Sequence, residues 1–348
     1  MRPARKLTAL VALGAAAVLA LTGCTQRNQA ESGAGGTGAT GAAGDTVRVA
    51  FVPKLQGVPY FEAMNTGGQE AAEALGNVEW LYQGPTQADA AAQADIVRSY
   101  IQQKVNTLIV APNDPDSMAP LLQQAKAAGI HVATSDTDAP NSVREVFVNQ
   151  ATAEGIGQAL TDSLLQAMGG SGKYAIVSCG QTAENLNSWI EVQRAYTAQK
   201  YPQAEIVDVV YAGEDQARAT QLATDLMNAN PDLKGLVGEC TSSAPGVAQA
   251  VRDANKIGQV FTVGLGTPQS MKPYLEDKSS SAAILWDVEN LGYLTAWAGA
   301  QLVQGTQLQP TNNVSSELPA VEYDATSKTL LLGPPLQITD ANVDQFQY

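Results

Sequence analysis

The sequence is poor in the residues on which zinc sites and many hydrolases depend. Among 348 residues it has a single histidine, His131, and three cysteines. It contains no CxxC pair, no cysteine–histidine cluster and no GxSxG motif. Structural zinc sites and histidine-assisted nucleophiles need such groupings. The sequence therefore predicts no metal site and no cofactor, and we expect a protein that is not an enzyme.

Basic residues are also scarce. The chain has 20 Lys and Arg against 34 Asp and Glu, which gives a formal net charge of −14. Proteins that bind nucleic acid draw much of their affinity from Lys and Arg that neutralise phosphates. This balance argues against nucleic acid and against other anionic polymers as partners.

Long apolar runs are missing except near the beginning of the chain. A basic start is followed by an uncharged Ala/Leu/Val run from Leu7 to Leu21, which is too short to span a bilayer comfortably and is typical of a signal peptide. The run ends in "LTGC", which resembles the lipobox of bacterial lipoproteins. We interpret residues 1–23 as a lipoprotein signal peptide and Cys24 as the lipidated residue, with a plain signal peptide as the alternative.

Residues 24–46 are rich in glycine and contain no aromatic residue, so they cannot bury much surface. We interpret them as a flexible linker. The sequence thus predicts an exported protein, lipid-anchored to the outer face of the cytoplasmic membrane or periplasmic, whose folded part begins near Thr46.

From Val47 onward, short apolar runs alternate with amphipathic helical patterns, and the same series occurs twice. This alternation is the signature of a parallel sheet with helices on both faces. The fold class predicted is α/β, with two doubly wound parallel-sheet lobes. The predicted strands are 47–52, 78–82, 107–111, 131–136 and 145–149 in the first lobe, then 173–179, 204–211, 234–240, 260–266 and 282–287 in the second.

Ligands of open parallel sheets bind outside the carboxyl ends of the strands. In this chain those ends carry carboxylates, carboxamides, hydroxyls and aromatic rings, a mixture that suits sugars because polar groups bond hydroxyls and flat rings cover C–H faces. The candidates include Lys54, Tyr60, Phe61, Asp136 and Trp286. Each has a plainer interpretation: a surface cation for Lys54, a loop carboxylate for Asp136, and core packing for one of the adjacent rings.

A surface hydrolase is the alternative from another class. Glycosidases use two opposed carboxylates, and a pair such as Asp136 and Glu239 is conceivable. Sequence spacing does not test that pair, and chance pairs are common in a chain with 34 acidic residues. Binding without catalysis is the preferred interpretation.

The motifs together resemble the type I periplasmic binding proteins, the solute receptors of ABC sugar importers. The stretches "VAFVPKLQGVPYFEAM", "GLGTPQSMKPYLED", "LWDV" and "LLGPPLQITDANVDQF" are closest to the autoinducer-2 and rhamnose binding subgroup. This resemblance implies a Venus-flytrap fold with a three-crossing hinge, and a permease with ATPase subunits as partners. It also implies a small neutral sugar or polyol as ligand.

The resemblance assigns ligand contacts to Lys54 and Asp136, and aromatic walls to Tyr60, Phe61 and Trp286. Where the autoinducer-2 receptors have an Asp-Gln pair, this chain has Asn185 and Leu186, followed by Asn187. In a second loop it has Glu239 and Thr241 where those receptors have Pro and Ala. These changes give the site other hydrogen-bonding groups than those of the autoinducer-2 receptors, and a ligand has to pair with them. A pentose, deoxyhexose or small polyol is therefore favoured over autoinducer-2 as the ligand. The predicted ligand-binding set is therefore Lys54, Tyr60, Phe61, Asp136, Asn185, Asn187, Glu239, Thr241 and Trp286.

The predicted lobes divide the chain at hinge crossings near 149–152, 287–290 and 310–315. The N-terminal lobe then comprises 47–150 plus 288–312, and the C-terminal lobe comprises 151–287 plus 313–348. We expect a monomer. A sensory receptor that presents its ligand to a membrane kinase, and a receptor for a sugar-like signal such as autoinducer-2, remain alternatives to an importer subunit.

The two remaining cysteines end strands that should be neighbours. Cys179 ends the first strand of the second lobe and Cys240 ends the third. In the usual doubly wound order these strands lie about 5 Å apart, within reach of a disulfide. The sequence predicts a Cys179–Cys240 bridge at the rim of the cleft, with two free thiols as the alternative.

Overall fold

The structure is a computed structural model that describes residues 46–348. The predicted signal peptide, the lipidation site Cys24 and the linker up to residue 45 lie outside the described residues. Among the described residues, no helix is both long enough and apolar enough to cross a membrane.

The first lobe alternates strands and helices as the sequence predicts. Its elements in chain order are β1 (Val47–Val52), α1 (Pro59–Leu75), β2 (Val78–Tyr82), α2 (Ala90–Gln103), β3 (Thr107–Val110), α3 (Pro115–Ala127), β4 (His131–Ser135) and β5 (Val146–Asn149). The parallel strands lie in the order β2-β1-β3-β4-β5. Local chemistry sets the helix starts, since the side chains of Asp89 and Asp114 accept hydrogen bonds from the first turns of α2 and α3.

The second lobe repeats this arrangement. Its elements are α4 (Ala153–Ala167), β6 (Gly172–Ser178), α5 (Glu184–Lys200), β7 (Ala204–Tyr211), α6 (Gln216–Ala229), β8 (Leu233–Gly238), α7 (Ser243–Asp253), β9 (Phe261–Leu265), α8 (Pro268–Glu276) and β10 (Ala282–Leu285). Its parallel strands lie in the order β7-β6-β8-β9-β10, which is the order of the first lobe. The predicted fold class is confirmed.

After β10 the chain returns to the first lobe as α9 (Val288–Gln304), which packs against α1. Two glycines allow the close approach of these helices. A Cβ added at Gly67 would lie 1.8 Å from the backbone oxygen of Glu289, and one added at Gly292 would lie 1.9 Å from the backbone oxygen of Met64. Any side chain at either glycine would therefore force the helices apart.

The last part of the chain corrects the predicted lobe boundary. Its elements are β11 (Thr311–Asn312), β12 (Val321–Asp324), β13 (Thr329–Leu331), β14 (Leu336–Ile338) and a short 3-10 helix (Val343–Gln345). Strands β11, β12 and β13 extend the first sheet, because β13 pairs in parallel with β5. Only β14 joins the second sheet, antiparallel to β10. Residues 313–331 thus belong to the first lobe, and the prediction that placed them in the second was wrong.

The described chain crosses between the lobes at residues 150–152, 286–287 and 332–335, between β5 and α4, β10 and α9, and β13 and β14. The first two crossings agree with the sequence-based positions. The third lies about 20 residues later than the predicted 310–315, because the short strands β11 to β13 come before it.

Candidate ligand-binding site

A cavity lies between the lobes, where the carboxyl ends of both parallel sheets face each other. Its first-lobe wall consists of Lys54, Leu55, Val58, Tyr60, Phe61 and Asp136. Its second-lobe wall consists of Asn185, Leu186, Trp189, Glu214, Glu239, Cys240, Thr241, Leu265 and Trp286. The cavity volume is about 40 Å³, whereas small-molecule sites usually offer roughly 300–1,000 Å³. The cavity is therefore too small in this arrangement for a ligand of that size, and we expect the lobes to move apart when a ligand enters.

Lys54 and Asp136 form the polar centre of the first-lobe wall. Lys54 follows β1, and its Nζ lies 3.6 Å from Asp136 Oδ2. Asp136 follows β4 with a backbone φ of 65°, in the left-handed region that Asp tolerates better than most residues. This turn ends the strand one residue earlier than predicted. Both side chains are almost fully buried, at 6% and 5% exposure, so their interaction is little screened by water.

Tyr60, at the start of α1, connects this pair to the aromatic wall. Its hydroxyl donates to Asp136 Oδ1 at 2.7 Å and accepts from Trp286 Nε1 at 3.1 Å. Burial, with a smaller effect of the Asp136 charge, raises the pKa of Tyr60 well above its usual value. The phenol therefore stays protonated, and Asp136 remains a hydrogen-bond acceptor.

Asn185, in the first turn of α5, brings the second lobe to this polar centre. Its Oδ1 accepts from Lys54 Nζ at 2.9 Å, and its Nδ2 donates to the backbone oxygen of Asp136 at 3.4 Å. At the rim of the cleft, the hydroxyl of Thr182 donates to the backbone oxygen of Asn113 at 2.9 Å. Side chains of the two lobes thus bond each other directly across the cleft.

Aromatic rings from both lobes meet edge to face at one end of the cavity. Tyr60 lies 5.0 Å from Phe61 and 5.9 Å from Trp286, and Trp189 lies 5.9 Å from Trp286, between ring centroids. Trp286 directly follows β10 and is the first residue of the second crossing. Such rings offer flat apolar surfaces beside hydrogen-bonding groups, which is the combination that binds the C–H faces of a sugar.

Two further carboxyl groups line the second-lobe wall. Glu239 follows β8, is fully buried, and accepts from Gln193 Nε2 with both oxygens at 2.8 Å. Burial raises the pKa of Glu239 to about 8, against a small opposing effect of Gln193. Burial also raises the pKa of Glu214, which follows β7, while the charge of Lys54 acts in the opposite direction. Ser242 donates to Glu214 Oε2 at 3.0 Å.

A disulfide joins two of the loops that form the second-lobe wall. It links Cys179, directly after β6, to Cys240, two residues after β8, with Cα atoms 6.2 Å apart. The two strands pair in parallel, as the doubly wound order predicts. Together with Glu214 the sulfurs lie within 4.8 Å of one another. Bonded to each other, they cannot act as metal ligands.

The structure brings together all but one of the predicted ligand-binding residues. The exception is Asn187, whose amide faces the outer rim and donates to the backbone oxygen of Gln181 at 2.9 Å. The helical turn explains this, because Asn185 and Trp189 are four residues apart on one face of α5 and Asn187 lies between them. That the others bind ligand stays a prediction.

The sequence-based prediction did not include two cavity residues with polar or aromatic side chains, Glu214 and Trp189. Glu214 lies beyond the carboxyl end of β7, a strand end that received no candidate. Trp189 lies one helical turn after Asn185, so helical periodicity is the signal that would have identified it.

Comparison with known proteins gives a family match over most of the described chain. Residues 49–307 match the model of the family described as "Periplasmic binding protein domain". The match begins in β1 and ends just after α9, so it includes strands β2 to β10 and every residue of the cavity wall.

Solved structures and a curated relative extend this match. LsrB from Clostridium saccharobutylicum, in complex with AI-2, is 26% identical, with a TM-score of 0.81 over 87% of this chain and 100% of that one. An ABC transporter solute-binding protein from Clostridium phytofermentas, with bound L-rhamnose, is 28% identical and has a TM-score of 0.80. The match covers 86% of this chain and 98% of that one. The D-ribose/D-allose-binding protein of Pseudomonas aeruginosa is 26% identical over 238 residues, 66% of this chain and 74% of that protein.

Proposed function

This chain belongs to the periplasmic binding protein family, and from that premise we propose that it is the solute-binding lipoprotein of an ABC importer. It binds a small neutral sugar or polyol between its lobes and delivers it to a permease with ATPase subunits. It acts outside the cytoplasmic membrane, anchored through Cys24, as a monomer and without catalysing a reaction. The names of its relatives, which include binding proteins for ribose, allose and rhamnose, support a sugar as ligand.

The observation that carries this proposal is the direct contact between the lobes through the cavity side chains. Lys54 bonds Asn185 across the cleft, and the backbone of Asp136 accepts from the same amide. A ligand closes the lobes only if it contacts both of them, since equal affinity for the open and closed forms shifts no equilibrium. The donors and acceptors of Lys54, Asp136 and Asn185 lie close enough together for one small molecule to contact both lobes at once.

The chemistry of the wall favours hydroxyl groups. The cavity offers an ammonium, carboxyl groups, a carboxamide and the hydroxyl of Thr241, and these are bordered by the rings of Phe61, Trp189 and Trp286. Hydroxyls both donate and accept, so they can satisfy this mixed set. A ligand without them would leave buried polar groups unpaired, which costs about 1–3 kcal/mol each.

The test is a thermal-shift screen of the purified protein against monosaccharides and polyols, followed by calorimetry on each sugar that raises the melting temperature. The panel includes D-ribose, D-allose, L-rhamnose, D-arabinose and AI-2. We expect at least one neutral sugar to bind and to be recovered chemically intact. No shift with any member, or turnover of the bound sugar, would refute the proposal.

A matched pair of variants ties binding to the cavity. Asp136→Asn keeps a residue that tolerates the left-handed backbone but removes the charge, and we expect it to weaken binding at least tenfold. Asp162→Asn makes the same change on α4, where the carboxylate is paired with Lys200. We expect Asp162→Asn to leave the dissociation constant within a factor of two.

A further inference from the structure

Trp286 links the hinge to the ligand cavity. Its indole is part of the cavity wall and is almost fully buried. The indole Nε1 donates to the hydroxyl of Tyr60 at 3.1 Å, and that hydroxyl donates to Asp136 Oδ1 at 2.7 Å. The backbone of Trp286 begins the second crossing. A shift of this backbone would therefore move a ring of the cavity wall and disturb the hydrogen bonds of Tyr60 and Asp136.

The backbone of Trp286 lies between two regular elements. β10 ends at Leu285 and α9 begins at Val288, so Trp286 belongs to neither. Leu285 is also the last residue of β10 that pairs with β14. Hinge residues absorb the backbone changes of a domain movement. The conformation of this crossing therefore depends on contacts other than those of the sheet and the helix.

Tyr348 supplies such a contact. Its hydroxyl donates to the backbone oxygen of Trp286 at 3.1 Å. Burial, with a smaller effect of the Asp287 charge, raises the pKa of Tyr348 to about 12. The phenol therefore stays protonated at neutral pH and remains a donor. Tyr348 is not part of the cavity wall, so it can affect a ligand there only through the residues that it contacts.

The tail segment, which comprises residues 339–348, is fixed to the second lobe. The backbone oxygen of Tyr348 accepts from the backbone N–H of Gln269 at 3.1 Å, and the side chain of Gln269 donates to a second backbone oxygen of the tail segment. Lys272 Nζ lies 2.6 Å from Asp344 Oδ1. Gln269 and Lys272 both lie on α8, so the tail segment ties this helix to the second crossing.

We propose that Tyr348 is a positioning residue of the sugar site: by holding the backbone of Trp286, it keeps the indole in the cavity wall and in its bond to Tyr60. The inference rests on the proposed sugar-binding function. It gives the tail segment a role in affinity, although Tyr348 lies outside the cavity wall. A ring that is already held in place loses less freedom when a ligand binds, and such preorganisation increases affinity.

The test is the variant Tyr348→Phe, which removes the hydroxyl and keeps the ring. Its dissociation constants are measured by calorimetry with D-ribose, D-allose, L-rhamnose, D-arabinose and AI-2. For each sugar that binds the native protein, we expect the dissociation constant to rise about two- to tenfold, which is the net contribution of one hydrogen bond. Tyr201→Phe is the matched control, because the Tyr201 hydroxyl donates to Asp162 at 2.8 Å, away from the cavity. We expect this control to bind as the native protein does.

A double-mutant cycle distinguishes positioning from a merely structural role. Trp286→Phe keeps a ring in the cavity wall but removes the N–H that bonds Tyr60. If Tyr348 acts through this indole, Tyr348→Phe should have little further effect on affinity in the Trp286→Phe background. Gln269→Ala removes a side-chain anchor of the tail segment on α8, so it should weaken sugar binding in the same direction as Tyr348→Phe.

Two results would overturn the inference while the proposed function stands. An unchanged dissociation constant in Tyr348→Phe, with or without a lower melting temperature, would show that Tyr348 at most stabilises the fold. A loss of affinity that adds in full to the loss in Trp286→Phe would show that Tyr348 does not act through the indole. If no sugar of the panel binds the native protein, the proposed function fails and the inference fails with it.

Discussion

Lys54 of the first lobe and Asn185 of the second lie 2.9 Å apart, ammonium to carboxamide oxygen, although they are 131 positions apart in the chain. Because the bond joins the two lobes, we expect it to break when they separate. The bond holds Lys54 and Asn185, two of the predicted ligand contacts, against each other. We therefore expect a ligand to replace this bond with contacts of its own. We therefore expect ligand binding and lobe closure to be coupled through these two residues.

The first prediction concerns Asn185. Asn185→Ala removes the second-lobe partner of Lys54, and hydrogen bonds to charged groups contribute about 1.5–3 kcal/mol. We expect the affinity for the bound sugar to fall at least tenfold in calorimetry. Asn187→Ala is the matched control on the same helix, since its amide faces the rim. An equal loss in both variants would contradict the role given to Asn185.

The second prediction concerns stability against pH. Burial raises the pKa of Glu239 to about 8 in the folded protein from its ordinary value of 4.5, so the unfolded chain binds fewer protons between these values. The contribution of Glu239 to the free energy of unfolding is therefore fully present below pH 4.5. It decreases as the pH rises towards 8, by up to about 1.4 kcal/mol per pH unit. Glu239→Gln should unfold at higher denaturant concentration than the native protein at pH 8.5. The difference should shrink at pH 5, and a constant difference would contradict the assignment.

The third prediction concerns the disulfide. The bridge closes a loop of 61 residues, and the chain-entropy model assigns such a cross-link about 4 kcal/mol. The double variant Cys179→Ser, Cys240→Ser should have a lower melting temperature than the native protein, and reduction of the native protein should lower it similarly. Sugar affinity should also fall, because the bridge holds the loop that carries Glu239. Labelling of both thiols in the unreduced, exported protein would show that no bridge forms.

The fourth prediction concerns the contact between α1 and α9. Gly67→Ala places a Cβ against the backbone of Glu289, and overpacking of this kind costs about 1–3 kcal/mol or more. We expect a clear loss of stability in chemical denaturation. Gly333→Ala is the control, because a Cβ there has no heavy atom within 4 Å. Comparable stability of the two variants would show that the helices separate without cost.

Much of the fold could be predicted because its signals are local. Strand β1 is buried along nearly its whole length and reads as an apolar run, and α2 and α3 begin where Asp89 and Asp114 cap them. Strands β11 to β13 are two to four residues long and partly exposed. They join the first sheet because β13 pairs with β5, about 180 positions earlier in the chain. No local sequence pattern predicts a pairing between such distant segments.

The site was predictable to the extent that strand ends determine it. Lys54, Asp136, Glu239 and Trp286 all follow strands, and parallel topology brings such positions together. The orientation of side chains on α5 depends on how that helix packs, so the sequence could not show that Trp189 lies in the cavity wall and Asn187 outside it. The protonation of Glu239 depends on its burial and on Gln193, which only the three-dimensional arrangement reveals.

The position of Trp286 gives the protein an intrinsic optical probe of its own motion. The indole contacts Tyr60 of the first lobe and Trp189 of the second, and Trp286 itself is the first residue of the second crossing. Separation of the lobes must change the surroundings of this ring, whereas Trp80 and Trp297 lie within the first lobe and move with it. Intrinsic fluorescence should therefore follow opening and closing in real time without any attached label.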